Sequence, residues 1–208
     1  MIAVTRSQKP EILERKEQDW LAALHRAVTV AEKENATNKY RHAQIKDALD
    51  ALFHGKCAYC ESKIKHVAYP HIEHYRPKSK FPNLTFDWEN LLLACGVCNS
   101  AEYKGDNFPE ANDNGPYINP CLDKPEDHFQ FVYDAKAKLA NVYGKTGRGR
   151  LTEEAFGLNR PDLRTYRSKK IETLVCLARL ARTDTEAQSL LDEAKQADAE
   201  YAAFARTL

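Results

Sequence analysis

The chain has 208 residues and a formal net charge of +1, and 29% of its residues are charged. This length suits one domain or a small module inside a helical frame, and the near-neutral charge excludes an overall basic surface for nucleic acid. The sequence has no apolar run of about 18 residues that would span a membrane, and residues 1–9 lack the apolar stretch of a secretory signal. We therefore expect a cytoplasmic protein.

Two helices are predicted before residue 54. Apolar residues recur at helical spacing from Pro10 to Asn35, and Pro10 suits a first helical turn. A second amphipathic stretch runs from Tyr40 to Phe53, and Gly55 follows it where a left-handed residue commonly ends a helix. We expect residues 1–54 to form an N-terminal helical arm.

Residues 55–110 differ in composition from the arm, with four cysteines, several aromatic residues and turn-forming prolines. Few regular apolar positions are present, so a metal is a plausible means of holding this segment together. The predicted elements are a strand at Ile72–Tyr75, a loop at Pro77–Asn83, an apolar stretch at Asn90–Ala94 and the start of a helix at Asn99–Tyr103.

Residues 111–208 are predicted to form a loop, a small hairpin and a helical region. The polar segment Asn107–Lys124 indicates a loop, and Gly144–Arg150 a basic linker. The hairpin strands are His128–Tyr133 and Leu139–Tyr143, with the turn between them, and the helices are Leu151–Leu158, Asp162–Arg182 and Thr185–Leu208. The predicted fold class is therefore α+β and mainly α.

Four cysteines occur as two close pairs, Cys57/Cys60 and Cys95/Cys98. Two Cys-x-x-Cys turns can close a four-thiolate zinc site, and such a site has no open coordination position and is structural. A redox role is disfavoured because there are two pairs and no thioredoxin-like strand and helix. Unrelated free thiols are the alternative, and we interpret Cys121 and Cys176 as ordinary thiols of this kind.

Between the cysteine pairs lies Glu73-His74, and Asn99 directly follows the last cysteine. Hydrolysis of a phosphodiester needs an activated water and charge neutralisation on the phosphate. A neutral imidazole can accept the proton of water, and a carboxylate and an amide oxygen can hold a hard divalent cation. The alternative is a surface glutamate and a partly buried histidine. Asn90 can bridge the loop before it to the backbone near His74, or it can cap a turn.

These residues resemble the HNH endonucleases, also called ββα-metal nucleases. The resemblance rests on Cys57/Cys60, Glu73-His74, the run from Asn90 to Cys95, and Cys98-Asn99 with Lys104 beyond. It implies a zinc-stapled ββα-metal module between helical segments, His74 as the general base, Asn90 as the structural asparagine of the motif, and Glu73 and Asn99 as ligands of a catalytic cation. Asn99 departs from the usual final histidine, and an amide oxygen favours Mg²⁺ or Mn²⁺.

A narrower resemblance links the chain to HNH proteins of bacterial anti-phage defence, namely the PtuB subunits of Septu systems and the nucleases encoded beside retrons. It rests on Cys57–Glu61, Ile72–Ser79 and Ile118–Asp123, with Gly157–Asn159 fitting as well. It implies a partner ATPase of the PtuA type, and in retron systems a reverse transcriptase with its RNA and DNA. The chain has no phosphate-binding loop of its own, so any ATP dependence must come from another subunit.

Several polar residues near Glu73-His74 are candidates for nucleic-acid contacts: His71, Arg76, Lys78, Lys80 and Lys104. For the charged residues the alternative is a solvated face. His71 shares a strand face with Glu73 and could bind the metal or contact a phosphate, and the alternative is a histidine that supports the site through hydrogen bonds. We expect a structural role for His128.

Two functions are compatible with the sequence. The first is a metal-dependent HNH endonuclease acting on nucleic acid, with DNA favoured and RNA possible, as the effector subunit of an anti-phage defence complex. The second is a zinc-stapled adaptor that binds nucleic acid or protein without catalysis, because the same cysteine turns occur in zinc ribbons.

Overall fold

The computed structural model describes residues 1–208 and contains eight α-helices, two two-stranded antiparallel sheets and short 3₁₀ turns. The helices are α1 (Glu11–Arg26), α2 (Val30–Thr37), α3 (Ala43–Phe53), α4 (Pro125–His128), α5 (Gly147–Ala155), α6 (Pro161–Leu180), α7 (Thr185–Ala194) and α8 (Ala202–Ala205). The strands are β1 (His71–His74), β2 (Leu91–Ala94), β3 (Phe129–Asp134) and β4 (Leu139–Gly144). The predicted α+β, mainly helical class is confirmed.

The predicted helix from Pro10 to Asn35 is two helices, which corrects the sequence interpretation. Ala27 leaves the helical region with ψ of 124°, so α1 ends at Arg26. Thr29 then starts α2 through a capping box, in which its side chain accepts a hydrogen bond from the Glu32 amide and the Glu32 carboxylate accepts from the Thr29 amide. The capping box begins a new helix. The apolar pattern from Pro10 to Asn35 therefore spans two helices and the break between them.

Helix α3 starts later than predicted and ends where predicted. A 3₁₀ turn, Asn38–Arg41, precedes it, and the His42 side chain accepts a hydrogen bond from the Gln44 amide at its N-terminus. At its end, His54 and Gly55 adopt left-handed φ angles of 54° and 67°. The left-handed conformation predicted for Gly55 is thus present.

Strands β1 and β2 form the antiparallel pair that carries the central motif. Glu73 lies opposite Leu92, and His74 lies opposite Leu91. All four β2 residues are buried, as expected for an apolar strand covered on both faces, and α3 packs against it. The predicted strand Ile72–Tyr75 begins and ends one residue later than β1.

The helix predicted to start at Asn99–Tyr103 is absent, and residues 99–106 form consecutive turns. Two features explain this. The Lys104 side chain is drawn into the interior against Glu73, and Gly105 adopts a left-handed φ of 45° that cannot continue a right-handed helix.

The second hairpin, β3 with β4, agrees closely with the predicted strands. The segment predicted as a linker, Gly144–Arg150, instead contains the first turn of α5. Thr146 caps this helix by accepting a hydrogen bond from the Gly149 amide. A Cβ atom on Gly149 would lie 2.2 Å from the His128 carbonyl oxygen, so only glycine allows this helix to approach the hairpin.

At the C-terminal end, the predicted helix Thr185–Leu208 is broken. Helix α7 ends at Ala194, and Tyr201 adopts a left-handed φ of 58° before the short α8. The Tyr201 hydroxyl lies 2.9 Å from Ser62 Oγ, so the interruption lets its side chain reach the central segment.

One hydrophobic core connects the arm, the central segment and the C-terminal helices, with Leu13, Tyr59 and Phe204 among its members. Helices α5 and α6 pack on β4, and α6 packs on α7. No helix has both the length and the apolar character needed to cross a membrane. The division into residues 1–54, 55–110 and 111–208 remains a prediction.

Candidate functional site

The four cysteines predicted to bind zinc converge. The sulfur atoms of Cys57, Cys60, Cys95 and Cys98 all lie within 4.8 Å of one another. Cys60 Sγ and Cys95 Sγ are 3.9 Å apart, close to the separation of roughly 3.8 Å that a tetrahedral site with Zn–S bonds of about 2.3 Å requires. The Cys98 amide donates to Cys95 Sγ at 3.4 Å, so the second turn is closed around its first sulfur.

The surroundings of these sulfurs also fit a zinc ion. Burial raises the pKa of the Cys57 thiol, so packed thiolates at this position need a cation to be stable. The Arg160 guanidinium donates to Cys98 Sγ at 3.6 Å and offsets the negative charge of a four-thiolate centre. Ser62 Oγ lies 3.4 Å from Cys60 Sγ. With all four donors supplied by cysteine, the site leaves no position for substrate.

His74, at the end of β1, is 5% exposed and is held in one tautomer. Its Nε2 lies 2.9 Å from the Thr85 carbonyl oxygen, which can only accept, so Nε2 carries the proton and Nδ1 keeps its lone pair. Burial lowers the pKa of His74 to about 4, with nearby Lys78 and Lys104 lowering it further and the Thr85 contact opposing. The imidazole is therefore neutral at physiological pH and has a free basic nitrogen.

Asn90 ties the chain after β1 to the start of β2. Its Oδ1 accepts from the Arg76 amide at 2.8 Å, and its Nδ2 donates to the carbonyl oxygens of Arg76 and Leu84, both at 3.0 Å. The Asn90 carbonyl also accepts from the Tyr75 amide at 2.9 Å. The side chain thus bridges the preceding loop to the backbone next to His74, which is the first of the two interpretations given above.

Glu73 faces the zinc side of β1 and is buried with two partners. Lys104 Nζ lies 2.6 Å from Glu73 Oε1, and the Tyr59 hydroxyl donates to the same oxygen at 3.2 Å. Burial raises the pKa of the Glu73 carboxyl even with this cation in contact. Lys104 also donates to the His74 carbonyl oxygen at 2.9 Å, so one ammonium group holds both residues of the Glu-His pair.

The position of Lys104 corrects one sequence-based expectation. We predicted a contact with nucleic acid, but the Lys104 side chain is 0% exposed. Sequence alone does not indicate this burial, because a lysine that follows a polar turn is usually solvated.

Asn99 and His71 lie together near the surface. Asn99 Nδ2 is 3.4 Å from His71 Nδ1, and the His71 ring packs against Gly96 of the second cysteine turn. By strand alternation His71 shares a face of β1 with Glu73.

The three basic residues after β1 differ in their surroundings. The Arg76 guanidinium is exposed and lies 5.5 Å and 5.2 Å from the ring centres of Phe81 and Phe108. Lys78 Nζ lies 5.6 Å from the ring centre of Tyr40, and Lys80 is exposed without a side-chain partner.

The remaining candidates lie outside this site. His128 Nδ1 is 2.8 Å from Thr146 Oγ1 at the start of α5, where it supports the hairpin. Burial raises the pKa of the Cys121 thiol to about 11, and Cys176 is exposed on α6.

Sequence reasoning missed Tyr40, Tyr59, Thr85 and Arg160. Each acts through a contact between segments distant in sequence, and only the aromatic character of Tyr40 and Tyr59 gave any sign of them.

Comparison with known proteins agrees with this geometry. A family model described as HNH endonuclease matches residues 57–105. The chain is 33% identical over 155 residues to the Septu protein PtuB of Bacillus thuringiensis, an alignment covering 71% of this chain and 56% of that protein. It is 27% identical over 143 residues to an HNH protein of retron Vc95 from Vibrio cholerae serotype O1 biovar El Tor, covering 66% of this chain and 68% of that protein.

A third similarity joins the chain to a protein with a different name. Over 135 residues it is 30% identical to the Septu protein PtuA of Bacillus mycoides (strain KBAB4), covering 52% of this chain and 18% of that protein. The chain spans about half the length of the PtuB protein it matches. The family match covers both cysteine turns and the sheet between them, so residues 57–105 are similar to the HNH endonuclease family.

Proposed function

We propose that the chain is a metal-dependent HNH endonuclease that hydrolyses phosphodiester bonds of nucleic acid. The observation that carries this proposal is the state of His74, whose Nε2 proton is fixed on the Thr85 carbonyl while Nδ1 keeps its lone pair. A general base must be neutral and must present an unprotonated nitrogen to the water it activates. In this proposal, Nδ1 of His74 accepts the proton of that water.

The proposed cation ligands are the Glu73 carboxylate and the Asn99 amide oxygen. Two oxygen donors of this kind suit Mg²⁺ or Mn²⁺, which would neutralise charge on the phosphate and assist the departing oxygen. The Glu73 carboxylate already contacts the Lys104 ammonium group, so it must bind a cation while it keeps this contact. We therefore propose that Lys104 is a positioning residue that orients Glu73 and the His74 backbone.

Zinc has a separate, structural role in this proposal. The four cysteines hold together the turn before β1 and the turn after β2, and so they support the strand pair that carries Glu73 and His74. Asn90 keeps the loop after β1 closed over the Thr85 side of His74. The exposed residues Arg76 and Lys80 and the half-buried Lys78 are proposed phosphate contacts, with DNA the favoured polymer and RNA possible.

The proposed context is an anti-phage defence complex. The names of the relatives, Septu PtuB and a retron HNH protein, support this context. Part of a PtuA protein is also similar to this chain, which supports a relation of the chain to Septu systems. We propose that a PtuA-like ATPase binds this chain and governs its activity, and in a retron setting a reverse transcriptase with its RNA and DNA would join the complex.

One observation favours the second function, a zinc-stapled adaptor without catalysis. Both Glu73 and His74 are buried, at 3% and 5% exposure, and a buried ion pair and a buried histidine also occur as purely structural features. The adaptor interpretation predicts intact zinc and binding to a partner in the absence of any cleavage.

The test is incubation of the full chain with plasmid DNA and with total RNA, each with Mg²⁺, with Mn²⁺ and without added cation. Both the isolated chain and its complex with a co-purifying partner are assayed. Cation-dependent cleavage of either polymer supports the nuclease and identifies its substrate. If neither polymer is cleaved under any of these conditions and the zinc content is intact, the adaptor is the better description.

A further inference from the structure

The wall of the His74 site includes a residue from the N-terminal arm, outside the matched HNH segment. Tyr40 lies in the 3₁₀ turn before α3 and is buried. Its ring centre is 4.7 Å from that of His74, with an interplanar angle of 77°, so the two rings meet edge to face. The arm therefore reaches the proposed general base directly.

This contact is fixed by packing on both sides. The Trp20 ring of α1 lies 5.6 Å from the Phe86 ring, and Phe86 directly follows Thr85, whose carbonyl oxygen holds His74. Trp20 also lies 6.2 Å from the ring of His42, two residues after Tyr40. The arm and the loop after β1 thus pack against each other beside His74, and Tyr40 is part of this packed aromatic cluster.

Two cationic side chains meet at the Tyr40 ring from different segments. The Arg41 guanidinium carbon lies 5.5 Å from the ring centre, and its Nε donates to the Tyr40 hydroxyl at 3.1 Å. Lys78, in the loop after β1, places Nζ 5.6 Å from the same ring centre. Neither side chain forms an ion pair with a carboxylate, so both charges are available to a ligand.

The distances place both cations close to the proposed reaction centre. Each charge lies no more than about 10 Å from the His74 ring centre, the sum of its distance to Tyr40 and the Tyr40–His74 distance. Duplex DNA carries one phosphate charge per about 1.7 Å of helix axis, so several phosphates of a bound strand would fall within that radius.

We propose that Arg41 and Lys78, held at the Tyr40 ring, form a phosphate-binding site for the nucleic-acid strand presented to His74. The site rests on the proposed function, because its ligand is the polymer that His74 would cleave. It assigns to the N-terminal arm a direct part in substrate binding. The ligand is the phosphodiester backbone, so this contact contributes affinity and positioning without selecting a sequence.

The experiment is fluorescence anisotropy of the full chain with a labelled duplex DNA oligonucleotide and with a labelled single-stranded RNA, over a series of salt concentrations. No Mg²⁺ or Mn²⁺ is added, so that binding is measured apart from cleavage. The variants are Arg41→Gln and Lys78→Gln. The control is Lys33→Gln, because Lys33 is an exposed lysine on α2 of the same arm and makes no contact with Tyr40.

Each of the two test variants is expected to bind more weakly at low salt, with a slope of log affinity against log salt that is less steep by about 1. Lys33→Gln should retain the wild-type slope. Tyr40→Phe keeps the ring against His74 but removes the hydroxyl that orients Arg41, so it should lose less affinity than Arg41→Gln.

The site is overturned if Arg41→Gln and Lys78→Gln keep the wild-type affinity and slope while the wild type binds and cleaves. In that case the proposed nuclease stands and only the phosphate site fails. A wild-type chain that binds neither polymer overturns the site, and if it also cleaves neither polymer the proposed function fails with it.

Discussion

The protonation state of His74 is set by its immediate surroundings. The Thr85 carbonyl fixes the proton on Nε2, and burial under Tyr40 disfavours the imidazolium. A solvated histidine would be partly protonated near pH 6.5. The neutral form is therefore stable over the physiological range, and this is the form in which a base can act.

This low pKa predicts a pH dependence of stability. Because the pKa of His74 is about 4 in the folded chain and the ordinary pKa of histidine is 6.5, the unfolded chain binds the proton more readily, and stability falls as pH drops through this window. Between pH 7.5 and pH 5 the loss from this group is about 2 kcal/mol. Urea unfolding at both pH values should show a smaller loss for His74→Gln than for the wild type, and equal losses would contradict the assignment.

The Glu73–Lys104 pair predicts a second effect at the scale of single residues. Lys104→Met should destabilise the fold by about 3–5 kcal/mol, because it leaves the buried Glu73 carboxyl without its cation. The double variant Glu73→Gln/Lys104→Met should recover much of this loss, because no unpaired charge remains. Denaturant unfolding of the two single variants and the double variant measures the coupling, and additive losses would show that the pair does not interact.

At the scale of elements, the β1–loop–β2 unit depends on one amide side chain. Asn90→Ala removes three hydrogen bonds that close the loop between Arg76 and Leu84, at a cost of about 2 kcal/mol. Hydrogen exchange of the Arg76 amide should become faster, while Asn141→Ala on β4 should leave it unchanged. An unaltered exchange rate in Asn90→Ala would show that other contacts close the loop.

The elements also show what the sequence alone could predict. The cysteine turns, the short strand with Glu73-His74 and the β3–β4 hairpin follow from local spacing and alternation, so they were predictable. The break after Arg26 depends on a capping box within an unbroken periodic pattern, and its Thr29-x-x-Glu32 motif is the one local signal of that break in the sequence.

The features that were not predictable depend on tertiary contacts. Lys104 turns inward because a buried carboxylate lies within reach, and this removes the helix expected at Asn99–Tyr103. Tyr40 approaches His74 because Trp20 and Phe86 hold the arm in place. Neither outcome is encoded in the spacing of neighbouring residues.

At the scale of the whole molecule, the zinc centre and the shared core determine whether the site exists at all. Cys98→Ser should lower the bound zinc from about one ion per chain to none and unfold the central segment, because metal binding there contributes folding free energy. Cys176→Ser is the matched control, since this thiol is exposed and lies outside the cluster. Elemental analysis and near-UV circular dichroism of both variants measure the difference, and a Cys98→Ser protein with full zinc and native spectrum would contradict the four-cysteine site.

The most direct test of the central claim, that His74 is the base of an HNH nuclease, is the single-turnover cleavage rate of the zinc-loaded full chain and its His74→Ala variant. His25→Ala is the control, because His25 is exposed on α1 away from the site. We predict that His74→Ala lowers the rate by about 10²–10⁴-fold with zinc content unchanged, and that His25→Ala matches the wild type. A His74→Ala chain that keeps the wild-type rate would contradict the account.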